Sequence, residues 1–228
     1  MINAKLNYKN ILLARHEKLL VINKPPAWST TGRSLEDDDC VQFHLIKHFG
    51  EMVWAVHQLD ADTSGLCLFC LSKSLTTQLK DLWVDPLMVK EYYAIAHGEP
   101  DWDAIDEYSS IGSVGEGSLG VHPDGKSAHT HFKVIDRSNG YSLIQARLHT
   151  GRTHQIRIHL SHLGHPLVGE GWYRDPPCSQ HPRQALHAHR LQFPDNTLLP
   201  TNTLTAPMTQ DLMDLAEDLG LRMDLLQL

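Results

Sequence analysis

His57-Gln58-Leu59-Asp60-Ala61-Asp62-Thr63-Ser64-Gly65 runs directly into Leu66-Cys67-Leu68-Phe69-Cys70-Leu71. A compact polar knot thus stands at the mouth of what reads as a buried strand. Two carboxylates, a histidine and two hydroxyls placed there cost free energy unless each finds a partner. Such a knot is read either as a functional site or as a turn whose Asp62-Thr63-Ser64-Gly65 segment bonds its own backbone.

The elements on either side follow from periodicity. Leu19 to Ile22 is strand-like and stops at Asn23-Lys24-Pro25-Pro26, because proline cannot continue a central ladder. Lys24 reads as a solvated charge or as a cation aimed at a phosphate. Trp28 to Asp39, with its Glu36-Asp37-Asp38-Asp39 cluster, reads as a mobile loop, and Val41 to Phe49 has helical spacing. Ser72 to Trp83 reads as an amphipathic helix capped by Ser72, with Leu75, Leu79 and Leu82 in its stripe. Val89 to Ala96 reads as a strand with Lys90 and Tyr92 on one face. Residues 101–128 suggest short strands and loops. Strands are expected over Thr130–Ile135 and Tyr141–Leu148, joined by a Ser138-Asn139-Gly140 turn. A helix over Thr153–Leu163, a strand over Leu186–Phe193 and a helix over Thr209–Leu221 complete the chain.

The 228 residues, 41% apolar, suit one compact unit. The formal charge of −7 excludes a bulk polycation, yet residues 121–193 carry a local +5 against −12 elsewhere. Cys67 and Cys70 form C-x-x-C inside an apolar run and are expected as reduced core thiols, since a redox pair normally opens a helix. No signal peptide or membrane-length apolar run is present, and a soluble, cytoplasmic protein is expected.

Leu148-His149-Thr150-Gly151-Arg152-Thr153-His154-Gln155-Ile156-Arg157 is a strand-to-helix transition rich in donors. Backbone amides and macrodipole at a helix start favour an anion, so phosphate or carboxylate is the expected guest. The histidines at 149, 154, 159, 162 and 165 lack the spacing and glutamate of a zinc-protease helix, and no metal is expected.

Taken in order, His57-Gln58-Leu59-Asp60 with Thr63-Ser64-Gly65, Lys90-Glu91-Tyr92, Thr150 to Arg157, Leu163 to Gly169 and Leu186-His187-Ala188 resemble the motifs of the RluA-type RNA pseudouridine synthases. The opening Val21-Ile22-Asn23-Lys24-Pro25 does too, so the resemblance spans about residues 17–207. It implies an α+β fold: a large mixed, mostly antiparallel sheet with flanking helices and a central RNA-binding cleft, forming a single catalytic domain over residues 1–228. It also implies isomerisation of uridine in tRNA or rRNA to pseudouridine, by a monomer that needs no cofactor. Asp60 matches the family's essential aspartate, Tyr92 its active-site tyrosine, and Arg157 the basic residue paired with the aspartate. His57, Gln58, Leu59, Thr63, Lys90, Arg152, Thr153, His154, Gln155 and Ile156 are the implied substrate-binding positions. The sequence departs from the pattern at Gln58, where the family usually has arginine. Nothing before Asn10 matches the small S4 domain of many relatives, so the catalytic domain is expected to recognise RNA by itself. Two other readings remain: a catalytically silent RNA-binding module of this fold, and a histidine-rich metal hydrolase.

Overall fold

A computed structural model describes residues 7–32, 39–115 and 117–226. In chain order the elements are α1 (Tyr8–Ile11), β1 (Leu12–His16), β2 (Leu19–Lys24), α2 (Val41–Phe49), β3 (Trp54–Ala55), β4 (Ser64–Cys70), α3 (Lys73–Trp83) and β5 (Val89–His97). They continue with β6 (Ala104–Glu107), β7 (Ile111–Gly115), β8 (Ser118–Val121), β9 (Thr130–Ser138), β10 (Tyr141–Leu148), α4 (Gln155–His162), β11 (Leu186–Gln192), β12 (Thr203–Thr205) and α5 (Gln210–Asp218). The chain folds into two compact units, one of Met1–Met88 with Ala188–Pro207, the other of Val89–His187 with Met208–Leu228. Within each unit the named strands pair antiparallel, and with helices interspersed the fold class is α+β.

In the first unit, β4 is buried at every residue, which explains its unbroken apolar run. It pairs with β2 from Leu19 opposite Cys70 to Lys24 opposite Gly65. Gly65 lies at φ +111°, and a Cβ there would come within 2.2 Å of the Ala188 carbonyl oxygen, so only glycine admits this approach. The Ser72 hydroxyl caps α3 by accepting the Leu75 N–H, and Leu79 is buried with Leu66, Leu68 and Cys70 in the core. Gly50, at φ +68°, ends α2. The acidic stretch Glu36-Asp37-Asp38 lies outside the described residues. The described flanks of that loop are tied, contrary to the expectation of mobility: Ser29 N–H donates to Asp39 O, and Val41 N–H to Ser29 O, each at 2.9 Å.

In the second unit the strand order is β5-β10-β9-β6, and β7-β8 form a separate hairpin. Asn139 and Gly140, at φ +53° and +79°, make the two-residue turn between β9 and β10. Tyr93, Ile95 and Leu143 pack with Leu212, Leu215 and Ala216 of α5. Register puts Tyr92 opposite Ala146 and Ala146 opposite Phe132. Lys90, two residues from Tyr92, shares that face, and all four are buried.

Candidate active site

In the first unit, the 57–65 turn is fixed from three sides. The Thr30 hydroxyl both accepts the Leu59 N–H and donates to the Leu59 carbonyl, each at 3.0 Å. The Thr63 N–H donates to the Asp60 carbonyl at 3.1 Å. The Lys24 ammonium, with no exposed surface, donates to the carbonyls of Ala61 at 2.6 Å, Trp28 at 2.8 Å and Pro25 at 2.9 Å. Both sequence readings of Lys24 are thereby corrected: it is neither solvated nor free for phosphate, because the carbonyls left at the Pro25-Pro26 turn and at Ala61 need donors. His57 Nε2 accepts the Leu68 N–H at 3.2 Å, and its ring stacks on Trp83 at 4.1 Å. Leu59 and Thr63 are buried, Gln58 is exposed, and Asp60 is half-buried. The result is a carboxylate that meets solvent from a backbone held at the residues on each side of it.

The adjoining strand carries Cys67 and Cys70, both free and buried as expected. Burial pushes the Cys67 thiol up to about 12 and the Cys70 thiol up to about 11, so both stay protonated and inert.

In the second unit, Lys90 and Tyr92 are buried on β5, and burial lowers the Lys90 ammonium from its ordinary value. The 149–154 turn is organised by Gln155. Its Oε1 accepts the Thr150 hydroxyl at 2.8 Å and the Arg152 N–H at 2.9 Å, and its Nε2 donates to His129 O at 3.0 Å and Thr130 Oγ1 at 2.9 Å. Gln155 and Ile156, expected at the RNA, are instead buried within the unit, where four bonds of Gln155 hold the turn in shape. Arg152 is half-buried, with Nε donating to Ser127 O at 2.9 Å, and Thr153 is exposed. His154, at φ +56°, delays the helix to Gln155, two residues after the expected start, and its Nδ1 lies 2.6 Å from the Tyr173 hydroxyl. Beside this turn is a cleft of about 440 Å³ lined by Lys126, Arg152, Thr153, Gly112 and Gly125 among others.

Arg157 is buried on α4. Its Nε donates to Glu170 Oε2 at 2.9 Å and its Nη2 to Glu170 Oε1 at 2.8 Å, with the guanidinium over the rings of Trp172 and Tyr173. Burial alone would raise the Glu170 carboxyl, but Arg157 and the N–H groups of Trp172 and Tyr173 outweigh it and hold the value below the ordinary range. Sequence reading gave Arg157 only Asp60 as a partner. Glu170 was missed because it lies thirteen residues away across a loop, and the polar Gly169-Glu170-Gly171 run was its one signal.

Of the histidines weighed as ligands, His159 is buried between Thr130 Oγ1 and Ser109 O, each at 2.9 Å, and His165 Nδ1 meets His97 O at 3.1 Å. Burial lowers His159, which fits a neutral structural imidazole.

Residues 18–162 match the family model described as RNA pseudouridylate synthase. The chain belongs to this family. The RluA-type resemblance read from the ordered motifs is therefore upheld. This synthase-family chain is 33% identical over 194 residues to the ribosomal large subunit pseudouridine synthase D of Yersinia pestis, a match covering 77% of the chain and 60% of that relative. It is 34% identical over 166 residues to the uncharacterized RNA pseudouridine synthase YlyB of Bacillus subtilis, covering 72% and 55%. These matches thus span under two thirds of either relative's length. Among solved structures, human RNA pseudouridylate synthase domain containing 4 superposes with a TM-score of 0.78 over 95% of both chains at 22% identity, a likeness of fold.

Proposed function

We propose that this synthase-family chain isomerises uridine to pseudouridine in RNA. The observation that carries the reading is the 57–65 turn: Asp60 meets solvent while Lys24 and Thr30 pin its neighbours. The reaction breaks the N1–C1′ bond, joins C1′ to C5, moves a proton to N1 and releases the C5 hydrogen. A carboxylate at the sugar-base junction and a ring against the detached uracil are the parts it requires. Asp60 is the catalytic carboxylate in this reading, Tyr92 the ring that stacks on the flipped base, and Arg157 the guanidinium that pairs with Asp60 and favours its ionised form. No redox change or external group enters, so no cofactor is invoked.

His57, Gln58, Arg152, Thr153 and His154 are the exposed or half-buried members of the implied RNA-binding set. Leu59, Thr63, Lys90, Gln155 and Ile156 act by positioning, since each is buried within its unit. The reading draws on residues of both units, which keeps one catalytic domain over residues 1–228 as part of the proposal. The substrate is tRNA or rRNA, and the relatives' names make large-subunit rRNA the first to test. The proposal includes a monomer acting in the cytoplasm. Four free, buried cysteines suit a reducing compartment, and no described helix is long and apolar enough to cross a membrane.

Incubation with RNA tritiated at uridine C5 should release tritium to water, and sequencing should place pseudouridine at a few positions. RNA binding without tritium release from any rRNA or tRNA pool would favour the silent module of the same fold.

A further inference from the structure

The second unit carries a cluster of ligating side chains that the isomerisation does not use. Tyr92 shares a sheet face with Ala146, Phe132 and Ile105, which stand opposite one another across β5, β10, β9 and β6. One residue along, Glu91, Arg147, His131 and Asp106 stand in line on the other face. His129, two residues before His131, points the same way, and so does His149, whose N–H donates to His129 O at 3.1 Å. Three adjacent strands, β6, β9 and β10, with the residue before β9 and the residue after β10, thus deliver a carboxylate and three imidazoles to one patch.

The side chains meet there. His129 Nε2 lies 2.7 Å from Asp106 Oδ1, and His131 Nδ1 lies 3.2 Å from the same oxygen. The His129 and His149 rings stack at 4.0 Å, and Tyr108 stacks on His129 at 4.3 Å. One ligand atom from each of Asp106, His129 and His149 lies within 4.8 Å of the other two. We propose that Asp106, His129 and His149 form a binding site for a divalent transition-metal ion of the zinc class, with His131 positioning the Asp106 carboxylate.

The donor set selects the ion. Two imidazoles and a carboxylate suit zinc, copper, nickel or cobalt, whereas magnesium and calcium prefer oxygen throughout. Bonds of about 2.0–2.2 Å in a tetrahedron put donors roughly 3.4 Å apart, so the present spacing closes by turning side chains. Turning His149 out of its stack on His129 is the principal change. Asp106 and His149 are exposed and His129 half-buried, so an ion has a path in, and three protein ligands leave the fourth position to water. The Arg147 charge opposes a cation nearby, and Glu91 stands across from it in register on β5. An ion here would tie β6 to the ends of β9 and β10, next to Thr150, whose hydroxyl accepts the His129 N–H at 2.9 Å.

The full chain, freed of metal by chelation, should be titrated with cobalt(II) followed by visible absorption and with zinc(II) by calorimetry. One equivalent should bind with the intense visible band of four-coordinate cobalt. His149→Ala and Asp106→Asn should each weaken zinc at least tenfold and remove that band, while His131→Ala should weaken it less, with circular dichroism unchanged in all three. Undiminished cobalt affinity in a His129→Ala/His149→Ala double variant would overturn the site by assigning the metal to other surface histidines. Absence of one-equivalent binding to the folded chain would overturn it equally. The titration is read without RNA, so failure of the site and failure of the isomerase reading are separate results.

Discussion

Arg157 and Glu170 form a two-point ion pair inside the second unit, with 6% and 0% of their side-chain surfaces exposed and N–O distances of 2.9 and 2.8 Å. Removing one partner leaves the other charge buried. Arg157→Ala should therefore cost about 3–5 kcal/mol of stability, lowering Tm by roughly 10 °C for a chain of this size. Glu170→Ala should cost a similar amount, and the double replacement should cost less than the two added together. Thermal and urea unfolding of the three variants decide this; strictly additive losses would show that the pair is not coupled.

Lys24 should matter as much in the first unit. Lys24→Met keeps the bulk but removes three donors from the carbonyls of Pro25, Trp28 and Ala61, a loss of about 3 kcal/mol. Because Ala61 follows Asp60 directly, the turn should shift, and a displacement of about 1 Å is enough to slow chemistry by about 10². Lys24→Arg should not rescue, since a planar fork cannot aim at the same three acceptors. Urea midpoints and single-turnover rates at saturating RNA test both parts.

Asp211 gives the acid limb of stability. It accepts Arg183 Nε at 2.7 Å and Nη2 at 3.1 Å. Burial would raise its carboxyl, but Arg183 and Thr209 outweigh that and bring it down to about 2. A folded value below the ordinary 3.8 means the stabilisation is full above about pH 4 and is lost as pH falls towards 2. Asp211→Asn should be less stable than the parent at pH 7, with the difference shrinking between pH 4 and 2. A gap of constant size across that window would contradict the assignment.

Local pattern accounts for what sequence made legible. β4, α2, α3, β9 and β10 were readable because burial on both faces, helical spacing, a serine cap and an Asn-Gly turn are each written within a few residues. β1 was not, being a mostly exposed strand with no apolar alternation, nor were the two-residue β3 and three-residue β12. At the candidate site the Asp60 turn was legible as a polar knot, but its supports were not. Lys24 and Thr30 lie 37 and 29 residues from their partners, and no periodicity links such distances. The late start of α4 has the same origin: the left-handed backbone of His154 serves bonds made by Gln155 to β9 and the segment before it.

Asp60 and Asp62 should separate cleanly. Asp60→Ala should abolish tritium release while leaving the chain folded, since the backbone of this turn is held at Leu59 and Ala61 by Thr30 and Lys24. Asp62→Ala should retain activity. Reversed phenotypes would mean that the catalytic carboxylate is misplaced by two residues.

Arg152 and Arg157 should fail in different ways. Arg152 borders the cleft beside Lys126 and spends its Nε on Ser127, leaving the rest of the guanidinium for phosphate. Arg152→Ala should weaken RNA binding at low salt and lower the slope of log affinity against log salt by about one, with the single-turnover rate at saturating RNA nearly unchanged. Arg157 is 5% exposed and cannot reach a phosphate in the same way. Lysine keeps the charge but makes one contact to Glu170 where arginine makes two, so Arg157→Lys should fold and yet lose most of its chemical rate with little change in salt slope. Filter binding across a salt series, paired with single-turnover tritium release, reads both quantities. A lost rate in Arg152→Ala together with a normal rate in Arg157→Lys would exchange the two roles.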